Sequence, residues 1–69
     1  MIARIIDTIL HYPVGARVGF ADEFGTEYRT VSGYQYSHGS FYVIFSVGMV
    51  HMNRLGELVV SVEIDEKED

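Results

Sequence analysis

The sequence predicts a mainly β domain: a small, strongly bent antiparallel barrel of five strands, preceded by a short N-terminal helix. Two observations support this fold class. Apolar residues follow a helical spacing near the N-terminus and an alternating, strand-like spacing from residue 16 onward. Glycine-containing turns separate the alternating runs at short intervals, which is typical of small all-β folds. Closing such a sheet protects the strand edges that a small open sheet exposes.

The size and composition of the chain indicate a single globular domain. It has 69 residues, of which 48% are hydrophobic and none is cysteine. Disulfides and thiolate metal sites are therefore excluded, and core packing must stabilise the fold. A chain without cysteine is consistent with the reducing cytoplasm. We expect a helix over 1–12, a barrel over 13–64 and an acidic tail over 65–69.

The N-terminal segment carries an apolar stripe at helical spacing. Its members fall at i, i+3, i+4, i+7 and i+8, namely Ile2, Ile5, Ile6, Ile9 and Leu10. Isoleucine has only middling helix propensity, so an edge strand is the competing interpretation. Pro13 ends either element. A helix of about two turns is unstable alone, so we expect the stripe to pack against the rest of the domain.

Five later stretches read as strands: "ARVGF", "EYRTVSGYQY", "FYVIFSV", "MVHM" and "LVVSVEI". "SHGS" suits a tight hairpin, "ADEFGT" an acidic loop, and "NRLGE" a helical turn or a loop. Alternation places Ala16, Val18 and Phe20 on one side of the first strand. In the last strand it places one set of apolar residues on one side, namely Leu58, Val60, Val62 and Ile64.

The order "YPVGARVGF", "TVSGYQY", "FYVIFSVG" and "VHMNRL" resembles the SH3-like barrels of the Tudor and KOW type, over residues 12–64. The resemblance implies a five-stranded SH3-like antiparallel barrel that recognises a partner. The glycine context and basic loops of KOW domains are not present. A free-standing barrel of this size also resembles small accessory proteins of phages and prophages, which implies binding to a host or phage protein.

The charge of the chain bears on the classes of partner. Its formal net charge is −5, and the final "EIDEKED" alone holds five acidic residues and one lysine. Nucleic-acid binding relies on clustered Lys and Arg, so direct binding of DNA or RNA is not expected. An apolar run long enough to span a membrane, roughly 18 residues, is absent from the sequence. We therefore expect a protein partner and no membrane insertion.

The aromatic hairpin "GYQYSHGSFYVIF" supplies the first candidate surface. If alternation is regular, one side of it faces the core, namely Val31, Gly33, Phe41, Val43, Phe45 and Val47. The other side then gathers the predicted tyrosine face, which consists of Tyr34, Tyr36, Tyr42 and Ile44. Exposed patches of this kind usually mark a contact. The N-terminal helix, a second copy in a homodimer or an external protein could each cover it.

The loop "ADEFGTEY" supplies the second candidate surface, with Asp22, Glu23, Phe24 and Tyr28 as partner-binding residues. The Tudor resemblance adds the hypothesis of an aromatic cage for a methylated ammonium group, held by cation–π attraction. The conceivable walls of such a cage are Phe20, Phe24, Tyr28 and Tyr42.

Other chemistry has little support in the sequence. His11, His38 and His51 lie in different elements without ligand spacing, so no metal site is expected. The serines lack a nucleophile motif, so we expect no enzyme activity and no cofactor. The sequence favours a non-enzymatic protein-interaction module. The alternatives are an acidic inhibitor that occupies a nucleic-acid site on another protein, and a structural homo-oligomer.

Overall fold

The computed structural model describes residues 2–64 as five antiparallel strands in one sheet and two short helices. In chain order the elements are α1 (Ile2–His11), β1 (Arg17–Asp22), β2 (Gly25–Ser37), β3 (Ser40–Phe45), β4 (Met49–His51), α2 (Met52–Leu58) and β5 (Val59–Glu63). The mainly β class, the N-terminal helix and the five strands are thus confirmed. The predicted acidic tail, residues 65–69, lies outside the described residues.

The sheet has the strand order β4-β3-β2-β1-β5 and is not closed. Strands β1 to β4 follow one another as a meander, and β5 returns to pair with β1 at the opposite edge. The predicted barrel closure is not observed, because β4 and β5 form no ladder with each other within residues 2–64. With three residues, β4 offers little edge for such pairing, and α2 occupies the connection between the two strands.

The long strand β2 joins the two halves of the sheet. Its first half pairs with β1 and its second half with β3. The register shifts between Val31 and Gly33, so that Val31 lies opposite Phe45 and Tyr34 lies opposite Val43. Because residues directly opposite share a face, this irregularity keeps both Val31 and Tyr34 on the core side of the sheet.

The core lies on one side of the bent sheet. Its buried members are Ala16, Val18, Phe20, Val31, Phe41, Val43, Phe45 and Leu55. The rings of Phe20 and Phe45 meet edge to face with centroids 5.1 Å apart. The inward positions predicted for β1 and β3 are confirmed, but Val47 is exposed. Strand β3 ends at Phe45, and Gly48, with φ of 76°, then turns the chain.

Helix α1 packs on the core with only part of its apolar stripe. Ile5 and Ile9 are half-buried against the core, while Ile2, Ile6 and Leu10 stay exposed. No residue of α1 is fully buried. The stripe is therefore wider than the surface that the sheet offers it. Neither helix within residues 2–64 is long and apolar enough to cross a membrane.

The last strand differs from the regular alternation that the sequence predicts. Leu58 ends α2, whose seven residues replace the predicted helical turn or loop. On β5, Ser61 lies opposite Gly19 and Val59 lies opposite Phe20. Val60, between them, has no partner on β1 in this ladder, and its side chain is exposed. The prediction that the apolar residues from Leu58 to Ile64 share one side is therefore wrong. A one-residue bulge reverses the faces beyond it.

Gly19 lies where a side chain has no room. A Cβ at this position would be 2.6 Å from Ser61 Oγ and 3.0 Å from the ring of Tyr28. We expect Gly19→Ala to lower the free energy of unfolding by about 1–3 kcal/mol, because the crowded atoms must shift. Urea denaturation measures this change.

Gly56 provides the matched control, because a Cβ there would meet no atom within 4 Å. Gly56→Ala should raise stability by about 0.5–1 kcal/mol, since alanine favours the helix. Adding Ser61→Ala to Gly19→Ala should restore part of the lost stability. Equal effects of the two glycine substitutions would contradict the close approach at Gly19.

Candidate functional site

The sheet divides the predicted tyrosine face between its two sides. The cross-strand pairs are Tyr34 with Val43, Tyr36 with Phe41, Gln35 with Tyr42, and Gly33 with Ile44. Since Val43 and Phe41 are core residues, Tyr34 and Tyr36 belong to the core side, and Tyr42 and Ile44 to the outer side. The prediction of one shared outer surface is wrong. The irregularity after Val31 is the reason, because it moves Tyr34 to the side that Gly33 was expected to take.

Tyr34 connects the sheet to the end of α1. Its ring stacks on Phe41 with centroids 5.8 Å apart and planes 18° apart. Its hydroxyl donates a hydrogen bond of 2.7 Å to the carbonyl of Tyr12. Burial raises the pKa of the Tyr34 phenol, and a backbone hydrogen bond from Val14 works in the opposite direction. Burial also raises the pKa of Tyr12. Tyr34 therefore has a structural partner within its own chain.

The remaining members of the predicted tyrosine face lie on both sides of the sheet. The Tyr42 ring meets His51 edge to face, with centroids 5.2 Å apart, and is half-buried. Ile44, also half-buried, lies opposite Met49 of the edge strand β4. Tyr36 is exposed, but on the other side of the sheet. No continuous patch of three tyrosines forms among the described residues.

The connection between β1 and β2 brings three of the predicted loop residues together. We call Asp22–Gly25 the Phe24 turn. Asp22 lies opposite Gly25 in the ladder, and Asp22 Oδ1 accepts a hydrogen bond of 2.8 Å from the amide of Phe24. Gly25 has a φ of 126°, a value that favours glycine. The side chain of Phe24 is 90% exposed. The turn thus presents one aromatic ring beyond the end of the sheet.

The fourth predicted loop residue, Tyr28, lies apart from the Phe24 turn on the outer side of β2. Its ring covers Gly19, and the guanidinium carbon of Arg17 lies 4.4 Å from the ring centroid. Phe20 is buried on the opposite side of the sheet. Phe20 and Tyr28 cannot line one cavity, so the aromatic cage is not assembled. Arg17 already occupies the face of Tyr28 that a ligand cation would need.

Arg29 closes the core below the Phe24 turn, a role that the sequence reasoning missed. Its guanidinium pairs with Glu27 at 3.2 Å, donates a hydrogen bond of 3.1 Å to the carbonyl of Val47 and lies 5.1 Å from the Phe20 ring centroid. The alternation of Glu27, Arg29 and Val31 along β2 is the signal that could have placed these residues on one side.

The charge of the Phe24 turn follows from this arrangement. Glu27 is neutralised by Arg29. Asp22 and Glu23 form no ion pair with any described residue. Two carboxylates without an ion-pair partner among the described residues therefore directly precede Phe24 in the turn. This combination of one large apolar group and local negative charge suits a surface that is apolar at its centre and basic at its rim.

A groove of about 430 Å³ lies elsewhere, lined by Gly15, Arg17, Thr30, Glu63 and Ile64. Arg17 and Glu63 are cross-strand partners of opposite charge on β1 and β5. Their charges offset one another, so the groove favours neither an anion nor a cation. The Phe24 turn, with its exposed ring, is therefore the better candidate for a binding surface.

Comparisons with protein-family models, with curated proteins and with solved structures found no match to this chain.

Tyr34→Phe tests the link between the sheet and α1. Loss of the hydroxyl should lower the free energy of unfolding by about 0.5–1.5 kcal/mol at pH 7, because the Tyr12 carbonyl loses its donor. The pKa of Tyr34 is raised, so the folded chain favours the neutral phenol. The resulting stabilisation is fully present at pH values below 10.0, the ordinary pKa of tyrosine, and is lost as the pH rises through the pKa in the folded state. The variant should therefore lose less stability than the native chain above pH 10.

Urea denaturation between pH 7 and pH 11 measures both effects. Tyr36→Phe is the control, because the Tyr36 side chain is 63% exposed and its hydroxyl has no hydrogen-bond partner within residues 2–64. An equal response of the two variants would contradict the structural role of Tyr34.

Proposed function

We propose that this chain is a non-enzymatic protein-interaction module of the SH3-like type, which binds a protein partner through the Phe24 turn. The meander of β1 to β4, the return of β5 to β1 and the helical connection α2 support the SH3-like assignment. The 90% exposure of Phe24 at the end of the sheet is the observation that carries the binding site.

The exposed ring has the energetics of an anchor residue. Complete burial of a phenylalanine side chain contributes about 1.5–3 kcal/mol of favourable free energy. Because Phe24 is 90% exposed in the free chain, almost all of this free energy is available for binding. The turn is held by the hydrogen bond from the Phe24 amide to Asp22 and by the β1–β2 ladder on both sides. Preorganisation of this kind lowers the entropic cost of binding.

The chemistry of the turn also specifies the partner. Asp22 and Glu23 directly precede Phe24 in the turn and form no ion pair in the described chain. A complementary surface therefore carries an apolar pocket with Lys or Arg at its rim. We propose that this binding takes place in the cytoplasm and that the chain is a phage or prophage accessory protein. These two points depend on the absence of cysteine and on the resemblance in size.

The acidic inhibitor is the second candidate function, because the same carboxylates would enter a basic nucleic-acid site. Binding by such an inhibitor depends on charge more than on the ring, and it weakens steeply with salt. Binding through the Phe24 turn depends mainly on burial of the Phe24 ring and less on charge. A structural homo-oligomer, the third candidate, would reveal itself by a multiple of the chain mass in light scattering.

Affinity capture from an extract of the cells that naturally produce the protein tests the proposal. We expect Phe24→Ser to reduce retention of the captured partner by about 30-fold, as loss of an anchor residue worth about 2 kcal/mol implies. Tyr36→Ser is the matched control and should retain the partner, because that exposed ring lies on a different element. Circular dichroism verifies that both variants are folded.

Charge variants separate the two binding hypotheses. Asp22→Asn keeps an oxygen that can accept the Phe24 amide, so combining it with Glu23→Gln removes charge without removing the turn. We expect a loss of less than tenfold from this pair and persistence of binding at 0.5 M salt. A larger effect of the charge variant than of Phe24→Ser would favour the acidic inhibitor instead.

A further inference from the structure

The turn between β3 and β4, residues 46–48, is attached to the first half of β2. The amide of Ser46 donates a hydrogen bond of 2.8 Å to the carbonyl of Thr30. In return, the amide of Thr30 donates a hydrogen bond of 3.3 Å to Ser46 Oγ. The guanidinium of Arg29 adds a hydrogen bond of 3.1 Å to the carbonyl of Val47. The turn therefore has a fixed position beside Arg29.

The side chain of Val47 is exposed on this fixed turn. It is 62% exposed, although alternation along β3 predicts a core position. The amide of Phe45 donates a hydrogen bond of 2.9 Å to the carbonyl of Gly48, which closes the turn. A partner can bury an apolar group on such a preorganised turn at a low entropic cost. Val47 thus has the same two properties as Phe24, an exposed side chain and a fixed backbone.

Val47 lies within reach of a partner that binds the Phe24 turn. Gly25, which ends that turn, and Arg29 are four residues apart on β2, a distance of about 13 Å in a strand. The Val47 carbonyl is bonded to Arg29. A stable interface covers roughly 800 Å² on each partner, which is a patch about 30 Å across. A patch of this size that includes Phe24 is wide enough to include Val47.

The charges between the two turns favour a basic partner. Beside the β3–β4 turn, the charge of Arg29 is offset by the carboxylate of Glu27, which lies 3.2 Å away. In the other turn, Asp22 and Glu23 add two carboxylates that form no ion pair within residues 2–64. The surface between the two turns is therefore negative overall and attracts a partner that carries Lys or Arg.

The outer side of the sheet is less favourable for the same partner. Tyr28 is 45% exposed there, but the guanidinium carbon of Arg17 lies 4.4 Å from its ring centroid. Glu63 lies opposite Arg17 on β5 and forms no ion pair with it. A basic partner over Tyr28 would therefore meet a cation, and that face of the ring is already covered. The partner is directed towards Val47.

We propose that Val47 is a second, specificity-determining contact of the partner site, an inference that rests on the binding function proposed above for the Phe24 turn. The partner is a protein surface with two apolar sites about 13 Å apart, and with Lys or Arg beside the site that receives Phe24. A surface with a single apolar pocket leaves Val47 unburied and is bound less tightly. Specificity therefore depends on the position of the β3–β4 turn, to which Arg29 is bonded.

Selection from a phage-displayed library of random 16-residue peptides on the immobilised full chain tests this contact. Such a peptide can reach both turns, since an extended chain spans about 3.3 Å per residue. The probe is a selected peptide whose affinity, measured by fluorescence anisotropy, falls by about tenfold or more with Phe24→Ser. We expect such peptides to carry Lys or Arg. Val47→Ser should weaken their binding about fivefold, because one partly exposed valine is no longer buried.

Val14→Ser is the matched control. Val14 is also 62% exposed, but it precedes β1 and so lies at the end of that strand that is remote from the Phe24 turn. This substitution should leave the affinity of the peptides unchanged. Tyr28→Thr reports on the outer side of the sheet and should change the affinity by less than Val47→Ser does. Circular dichroism verifies that all variants are folded.

The outcomes separate the second contact from the proposed function. If no selected peptide depends on Phe24, the proposed function fails and the second contact fails with it. If peptides depend on Phe24 but Val47→Ser and Val14→Ser have equal effects, only the second contact fails. A larger loss from Tyr28→Thr than from Val47→Ser would also overturn it, because the partner would then lie on the outer side of the sheet.

Discussion

The register shift between Val31 and Gly33 in β2 sets which residues of the long strand face the core. β2 must pair with β1 along one half and with β3 along the other, and both halves must present apolar residues to one core. A strictly alternating strand would turn Tyr34 away from that core. The irregularity turns Tyr34 to the core side, so that Val31 lies opposite Phe45 and Tyr34 lies opposite Val43.

The inward position of Tyr34 then determines how α1 is held. The phenol reaches the Tyr12 carbonyl at the end of the helix, while Arg4 reaches Asn53 nearer its start. The helix is thus attached at two points, one on the sheet and one on α2. Its half-buried isoleucines add packing between them. An element held in this way is separable from the core in energetic terms, since no fully buried residue belongs to it.

The same constraint shapes the surface that is available for recognition. The hydroxyl of Tyr34 binds the Tyr12 carbonyl of the same chain, and the ring of Tyr42 packs on His51. The hairpin therefore offers less free aromatic surface than its composition indicates. At the other end of the sheet, Arg29 neutralises Glu27 and covers Phe20. Phe24, Asp22 and Glu23 are left without such partners in the described chain. The exposed ring of Phe24 and the two carboxylates that form no ion pair in the described chain are the physical basis of the proposed binding site.

The secondary-structure elements could be predicted from sequence patterns alone. The isoleucine spacing predicted α1, alternation predicted the five strands and the inward residues of β1 and β3, and "SHGS" predicted the hairpin turn, where His38 and Gly39 both have positive φ. The sequence also placed Asp22, Glu23 and Phe24 in one loop. Other features could not be predicted and depend on packing between distant segments. They are the side of the sheet that Tyr34 and Tyr36 take, the unpaired position of Val60 between Val59 and Ser61, the helix α2 with Leu55 in the core, and the open sheet. The physical reason is that alternation has a period of two. One extra residue reverses every later side chain, and pairing with a distant strand decides where that residue lies.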